Sequence, residues 1–474
     1  MSRLLQVSNR LPVTVSWCDD ALAVKRAPGG VASGLSAVHR PEHDRWIGWT
    51  GHVAEGFDAS IAARLDEFGC DPVFLDADEV LGFYDELSNG ALWPMLHSRL
   101  ADLPFELRGW EMYERVNRKY ADAVVAAYAP GDLVWVHDYQ LALVPALVRE
   151  RLPGARIGFF LHVPFPPPEV FRAFPWGPQM IDGLLGADVV GFQTKEYAAN
   201  FRETASATPA APGTDPHTRT WRLATAEVIV DPIGIDPRAW HDLASSPEVE
   251  ARAAQIRAEA GGRAILVGVD RLDYTKGIPR RLLALESLFA SGELDPDRVL
   301  MFQASVPSRE NVAAYERLRS QTDELVGRIN SRYGSIAAAP VRAAYGSLTM
   351  TELCALYRAA DVMLVTPLRN GMNLVCKEFV ASRYEGGGVL VLSEFAGAAE
   401  QLTDAVLVNP YDVQGMGAAI LRALSMPEAE RRHRMGRLRA RVAVHTSADW
   451  ARTFQQRLAS SRDGAYRPGV ASLS

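Results

Sequence analysis

Short apolar runs recur along this chain, and each ends in a polar or glycine turn followed by a helical pattern. In the first half they are RLLQVSNR (3–10), DLVWVHD (132–138), RIGFFLHVPF (156–165) and DVVGFQT (188–194). In the second half they are AILVGVDRLD (264–273), VLMFQASVPS (299–308), DVMLVTPLRN (361–370), GVLVLSEFAG (388–397) and AVLVNPYD (405–412). A strand that is apolar throughout must be covered on both faces, which suits a parallel sheet. Strands alternating with helices give doubly wound α/β units. Between the two series, ETASATPAAPGTDPHTRTW (203–221) reads as a surface loop and DPIGIDPRAW (231–240) as a linker. This spacing predicts an N-terminal domain over 1–240 and a C-terminal domain over 241–445. Residues 446–474 are expected to form a last helix and a frayed tail, the helix packing back on the first domain. Two such domains facing across a cleft would place ligands at the carboxyl ends of both sheets.

The totals exclude several function classes. The chain has 474 residues, 48% hydrophobic and 23% charged, with a net charge of −7, which argues against nucleic acid as a partner. Cys18, Cys70, Cys354 and Cys376 are widely spaced and form no CxxC, so neither a disulfide framework nor a cysteine zinc site is expected. With no signal-like or membrane-spanning apolar stretch, the reading is a soluble cytoplasmic protein. A homo-oligomer stays open.

The chemistry is concentrated at the turns. PLRNGMNLVCKEF (367–379) joins a strand to a helix through Gly371, and the N–H groups of Met372, Asn373 and Leu374 are expected to form an anion site at the helix start. Glu378 lies where a carboxylate would accept two ribose hydroxyls. In VGVDRLDYTKGIP (267–279), Arg271 and Lys276 follow a strand end, where two cations would neutralise a diphosphate leaving group without a metal. Arg309 and Arg10 follow strand ends elsewhere, which suggests two phosphate-bearing ligands. APGGVASGL (27–35) permits backbone approach to a phosphate but is no strict GxGxxG. His137-Asp138 and His162 end neighbouring strands and are candidates for sugar recognition or proton handling. Trp49 and Trp93 stand beside glycines and suit sugar faces, though such aromatics also build cores. The DxD strings DADE (76–79) and DPDR (295–298) read as a helix N-cap and a proline turn rather than metal sites. Neither metal nor cofactor is expected.

In combination, SNRLP, PGG, GWTG, FYDELSNGALWPMLH, VWVHDYQL, IGFFLHVPFPPPEVF, LLGADVVGFQT, DRLDYTKGIP, SVPSRE, VTPLRNGMNLVCKEF and VLSEFAGAAEQL resemble the α,α-trehalose-6-phosphate synthase family, glycosyltransferase family 20. The similarity runs from about residue 1 to about residue 455. It implies a GT-B fold of two Rossmann-like domains. It also implies retaining, metal-independent transfer of glucose from a nucleoside diphosphate glucose to glucose 6-phosphate. In that family Arg10, Tyr84, Trp93 and Arg309 would hold the acceptor phosphate sugar, with Trp49 beside them, and Asp138 its reactive region. Gly30, Arg271 and Lys276 would bind the donor diphosphate, and His162 would touch the donor sugar. Asn370, Met372, Asn373 and Leu374 would hold sugar hydroxyls and phosphate, and Glu378 the ribose. Asp138, His162, Arg271 and Lys276 are the catalytic candidates.

Two departures bear on the donor. The family usually has Asp where this chain has Asn370, which weakens a contact to a donor sugar hydroxyl by about 1–2 kcal/mol. Members that use UDP-glucose tend to carry His and a large aliphatic where this chain has Ser347 and Ala304. A roomier pocket favours GDP-glucose over UDP-glucose, with ADP-glucose open. Rival readings are glucosylglycerol-phosphate synthesis, a cyclitol pseudo-glycosyltransferase, and a non-catalytic sugar-phosphate sensor. Gripping two ligands from opposite domains further predicts domain closure.

Overall fold

The computed structural model describes residues 2–18, 21–26, 35, 39–54, 56, 58–307, 313–335 and 338–461. The chain divides into two compact units, Met1–Ile233 with Ser447–Ser474, and Gly234–Thr446. The division therefore falls at Ile233 rather than near 240, within the irregular stretch that precedes a helix at Pro237–Ala244.

The first unit is built on a seven-stranded sheet. In chain order its strands are β1 (Leu4–Arg10), β4 (Arg45–Val53), β5 (Cys70–Leu75), β6 (Leu133–His137), β7 (Arg156–Leu161), β8 (Val189–Phe192) and β9 (Glu227–Val230). Their spatial order is β5-β4-β1-β6-β7-β8-β9, and every neighbouring pair is parallel. The remaining strands, β2 (Val13–Cys18) and β3 (Ala21–Arg26), pair antiparallel with each other. Strand order reverses between β1 and β6, and the carboxyl ends at such a reversal are the usual ligand position in open α/β sheets.

The C-terminal helix Ser447–Ser460 lies on one face of this sheet. Its Trp450, Phe454 and Leu458 are fully buried. Phe454 stacks on Trp135 of β6, with centroids 4.5 Å apart and planes at 7°. Glycine permits the close approach: a Cβ on Gly158 of β7 would meet the Phe454 ring at 2.5 Å.

The second unit carries a six-stranded parallel sheet. Its strands are β10 (Ala264–Arg271), β11 (Val299–Val306), β12 (Val341–Tyr345), β13 (Val362–Val365), β14 (Val389–Ser393) and β15 (Val406–Val408), ordered β12-β11-β10-β13-β14-β15. Its reversal lies between β10 and β13. Arg281, 1% exposed, donates to Asp270 of β10 (2.9 Å), Gln303 of β11 (2.8 Å) and Thr366 just after β13 (3.0 Å) and so ties three adjacent strands together.

Three expectations are settled by these elements. The loop expected over 203–221 is confined to 208–215, because the helix Lys195–Ala207 runs into the stretch and Pro216–Thr225 begins inside it, capped by Asp215. Asp76 forms a reciprocal capping box with Glu79, and Asp295 caps a short turn of helix, so both DxD strings are helix starts. Beyond Glu79 the chain enters a π-helix, Val80–Leu92, which the sequence did not announce. Among the described residues no helix is long and apolar enough to cross a membrane.

Candidate functional site

Of the sequence-predicted residues, Arg10 and Asp138 lie at the reversal of the first unit and Arg271, Lys276 and Asn370 at that of the second, whereas Tyr84 and Trp93 come from the helical stretch 80–96, His162 follows β7 and Ser347 follows the edge strand β12. In the first unit Arg10 ends β1 and is exposed, while Asp138 follows β6 directly. The Arg10 guanidinium lies 4.2 Å over the Trp49 ring and 5.6 Å from the Tyr84 ring. Trp49 and Tyr84 meet edge to face at 5.5 Å. Trp49 is 2% exposed, its indole N–H is spent on the His52 carbonyl, and Arg10 covers its face. It therefore backs the arginine. Trp93 is also buried, 4.2 Å from His97 and 5.9 Å from Tyr139.

Asp138 has φ 71° and ψ 166°, a region that is almost exclusively glycine's. Among the described residues the other non-glycine positive φ values belong to Ser98 and Asn373. Asp138 Oδ1 accepts the N–H groups of Tyr139 (3.1 Å) and His162 (3.3 Å). The His162 ring is turned inward: Nε2 lies 3.2 Å from His137 Nδ1, and Nδ1 lies 3.4 Å from the Gln193 amide nitrogen. Gln193 accepts the Ile233 N–H on its oxygen, so its amide nitrogen points at His162 and places the His162 proton on Nε2. Burial lowers both imidazoles, His162 to about 3, which keeps the pair neutral. A ligand thus meets the His162 backbone before its ring nitrogens. Gln193 was not foreseen, since a glutamine near a strand end carries no sequence signal.

In the second unit Arg271 ends β10 with its side chain 45% exposed, and Asp273, fully buried, lies 3.9 Å from it. Asp273 accepts from Thr275 N–H and hydroxyl at 2.9 and 2.7 Å and so shapes the turn that carries Lys276. That turn rests on the next one. Leu368 N–H donates to the Thr275 carbonyl at 2.7 Å. Gly277 has φ 69°, and a Cβ there would meet the Thr366 carbonyl at 2.4 Å. Arg271 and Lys276 are therefore joined to the 366–370 segment.

The turn after β13 differs in detail from the expectation. The helix runs from Leu374 to Ser382, capped by Asn373 at φ 91°. The Met372 N–H donates to Asn370 Oδ1 (3.3 Å) and the Cys376 N–H to Asn373 Oδ1 (3.1 Å), so Met372 is not among the groups left to a ligand. Asn370 is held from both sides, its N–H on Phe395 and its carbonyl on Gly397. Glu378 receives the Tyr357 hydroxyl at 3.2 Å, and burial raises its carboxyl to about 7. Lys377 is 3% exposed and burial lowers its ammonium to about 8. Ser347 is exposed just beyond β12, whereas Ala304 is buried in β11 beside Val269 and Ala344. Gly30 and Arg309 lie outside the described residues.

The sequence profile of glycosyltransferase family 20 matches residues 2–460. A trehalose-6-phosphate synthase from Mycobacterium avium is 43% identical over 476 residues, spanning 98% of this chain and 97% of its own length. One from Mycobacterium leprae is 41% identical, spanning 97% and 95%. The crystal structure of α,α-trehalose 6-phosphate synthase from Burkholderia multivorans superposes with TM-score 0.85 at 36% identity, covering 97% of this chain and 99% of that one. A UDP-forming enzyme from Burkholderia xenovorans in complex with glucose-6-phosphate has TM-score 0.85 and 32% identity, covering 96% and 100%. The fold is GT-B with two Rossmann-like units, and the chain belongs to glycosyltransferase family 20.

Proposed function

We propose that this enzyme transfers glucose from a nucleoside diphosphate glucose to glucose 6-phosphate, giving α,α-trehalose 6-phosphate with retention and without a metal. The observation that carries the reading is the placement of Arg10 and Asp138 at one reversal and of Arg271, Lys276 and the 370–374 turn at the other. Arg10 with Tyr84, and Arg309, serve the acceptor phosphate, and Asp138 its reactive end. Arg271 and Lys276 serve the donor diphosphate, the start of helix 374–382 its oxygens, and Glu378 the ribose. The glucosyl C1–O bond to the diphosphate breaks and a bond to the acceptor hydroxyl forms on the same face. The hydroxyl proton passes to the leaving phosphate oxygen, whose charge the two cations stabilise. The described site offers no carboxylate pair arranged for double displacement, in keeping with this route.

For the donor base we favour GDP-glucose over UDP-glucose, because Ser347 is small and exposed where the base would lie. A second reading is favoured by Asn370. Its Oδ1 is committed to Met372, so the other end of its amide is a donor where a carboxylate would present a second acceptor. A cyclitol donor without an ordinary anomeric centre would suit that change. The test is nucleoside diphosphate release from GDP-, ADP- and UDP-glucose, each with and without glucose 6-phosphate, by wild type and Asn370→Asp. Acceptor-dependent release, fastest with GDP-glucose, is expected. UDP-glucose in first place would overturn the base assignment. Silence in wild type with turnover in Asn370→Asp would favour the cyclitol reading.

A further inference from the structure

The strain at Asp138 needs a cause, since a left-handed aspartate survives only where its surroundings over-determine it. The holding contacts converge on the next residue. Tyr139 is fixed at its N–H by Asp138 Oδ1, at its carbonyl by the Tyr113 hydroxyl (2.6 Å), and at its own hydroxyl by Asn89 Oδ1 (3.0 Å). Tyr113 is fully buried in the helix Trp110–Ala127, and its oxygen also accepts the Ala142 N–H at 3.2 Å. One phenol thus bridges both ends of the turn that follows Asp138. One helical turn on, Asn117 repeats the device, donating to the Gln140 carbonyl (3.1 Å) and accepting the Leu143 N–H (3.1 Å). Asn89 comes from the π-helix, whose wider turn is a recurrent feature of functional sites. On the other side the Asp138 N–H is held by the Phe160 carbonyl at 2.9 Å.

We propose that Tyr113 is a positioning residue whose hydroxyl clamps the 139–142 turn and so holds Asp138 in its strained backbone conformation, setting its carboxylate for the acceptor sugar. The clamp rests on the proposed role of Asp138 for its effect on turnover, but not for its effect on the backbone. Tyr113 touches no substrate. A purely structural phenol would affect folding and leave turnover per folded molecule unchanged.

The experiment has two readouts. The first is a thermal cycle without substrate. Glycine ordinarily lowers stability relative to alanine, yet Asp138→Gly is expected to melt about 2–8 °C above Asp138→Ala, because only glycine relieves the strain. In the Tyr113→Phe background that difference is expected to shrink towards zero. The second readout is kinetic. Tyr113→Phe alone is expected to lower kcat about 10–100-fold while the KM for the nucleotide donor stays within about twofold. Asn117→Ala gives the same two readouts if Tyr113→Phe does not fold. A glycine–alanine difference that is absent, or equal in both backgrounds, would overturn the clamp. An unchanged kcat in folded Tyr113→Phe would overturn the positioning role. Should wild type not turn over glucose 6-phosphate, the functional reading fails, and the thermal cycle still decides the clamp.

Discussion

Glu378 carries a conflict that the proposed ribose contact would resolve. Its carboxyl is raised from 4.5 to about 7 by burial, and the Tyr357 hydroxyl offsets this only in part. The folded value lies above the unfolded one, so the unliganded protein loses stability from this group as pH rises from about 4.5 to about 7. Two ribose hydroxyls would instead favour the ionised form. Nucleotide affinity is therefore expected to strengthen as pH rises towards about 7, and Glu378→Gln to bind more weakly and with a shallower pH dependence, keeping only the part that comes from the ligand's own phosphate. Calorimetric titration of the nucleoside diphosphate on either side of neutrality checks this. A wild-type affinity independent of pH would remove Glu378 from the ribose. At this scale the motif named the residue, but its protonation is set by burial and opposed by Tyr357, which lies 21 positions away in the chain, and neither gives a local signal. The same holds for Asp138. The sequence showed an acid after a strand, while its left-handed backbone is imposed by Tyr113, Asn117 and Asn89.

At the scale of elements, the strands that the sequence revealed are those with fully apolar runs, such as β6 (LVWVH) and β14 (VLVLS), each buried throughout. The strands it hid are sheet edges or mixed in character. At the edges β5 reads CDPVFL, with a proline that an edge tolerates, β9 is four residues long, and β12 has exposed positions. β4, rich in tryptophan and glycine, resembled a sugar-facing turn. The π-helix was invisible because its widened hydrogen-bond register leaves the composition unchanged. Helix Pro216–Thr225 was legible in hindsight, since Asp215 before Pro216 is a start signal that the small polar residues around it obscured. The C-terminal helix offers a sharp test of packing. Gly158→Ala would press a methyl into the Phe454 ring and is expected to cost about 1–3 kcal/mol. That loss would appear in denaturant unfolding as a lower midpoint with unchanged slope. No loss would mean that the helix does not seat as closely as its glycines allow.

At the scale of the whole molecule, two parallel sheets place their charged turns at the carboxyl ends beside each strand-order reversal. The alternation of apolar runs and helices made this architecture readable before any coordinates. It did not fix the boundary, because DPIGIDPRAW is irregular throughout its first half and no composition shift marks Ile233. The functional reading turns on one reaction. The most direct measurement is proton NMR of the product formed from the nucleoside diphosphate glucose and glucose 6-phosphate in excess EDTA. The account predicts a non-reducing disaccharide phosphate with both anomeric centres α. A β-linked product, or formation that stops in EDTA, would contradict retaining transfer assisted by Arg271 and Lys276 in place of a metal.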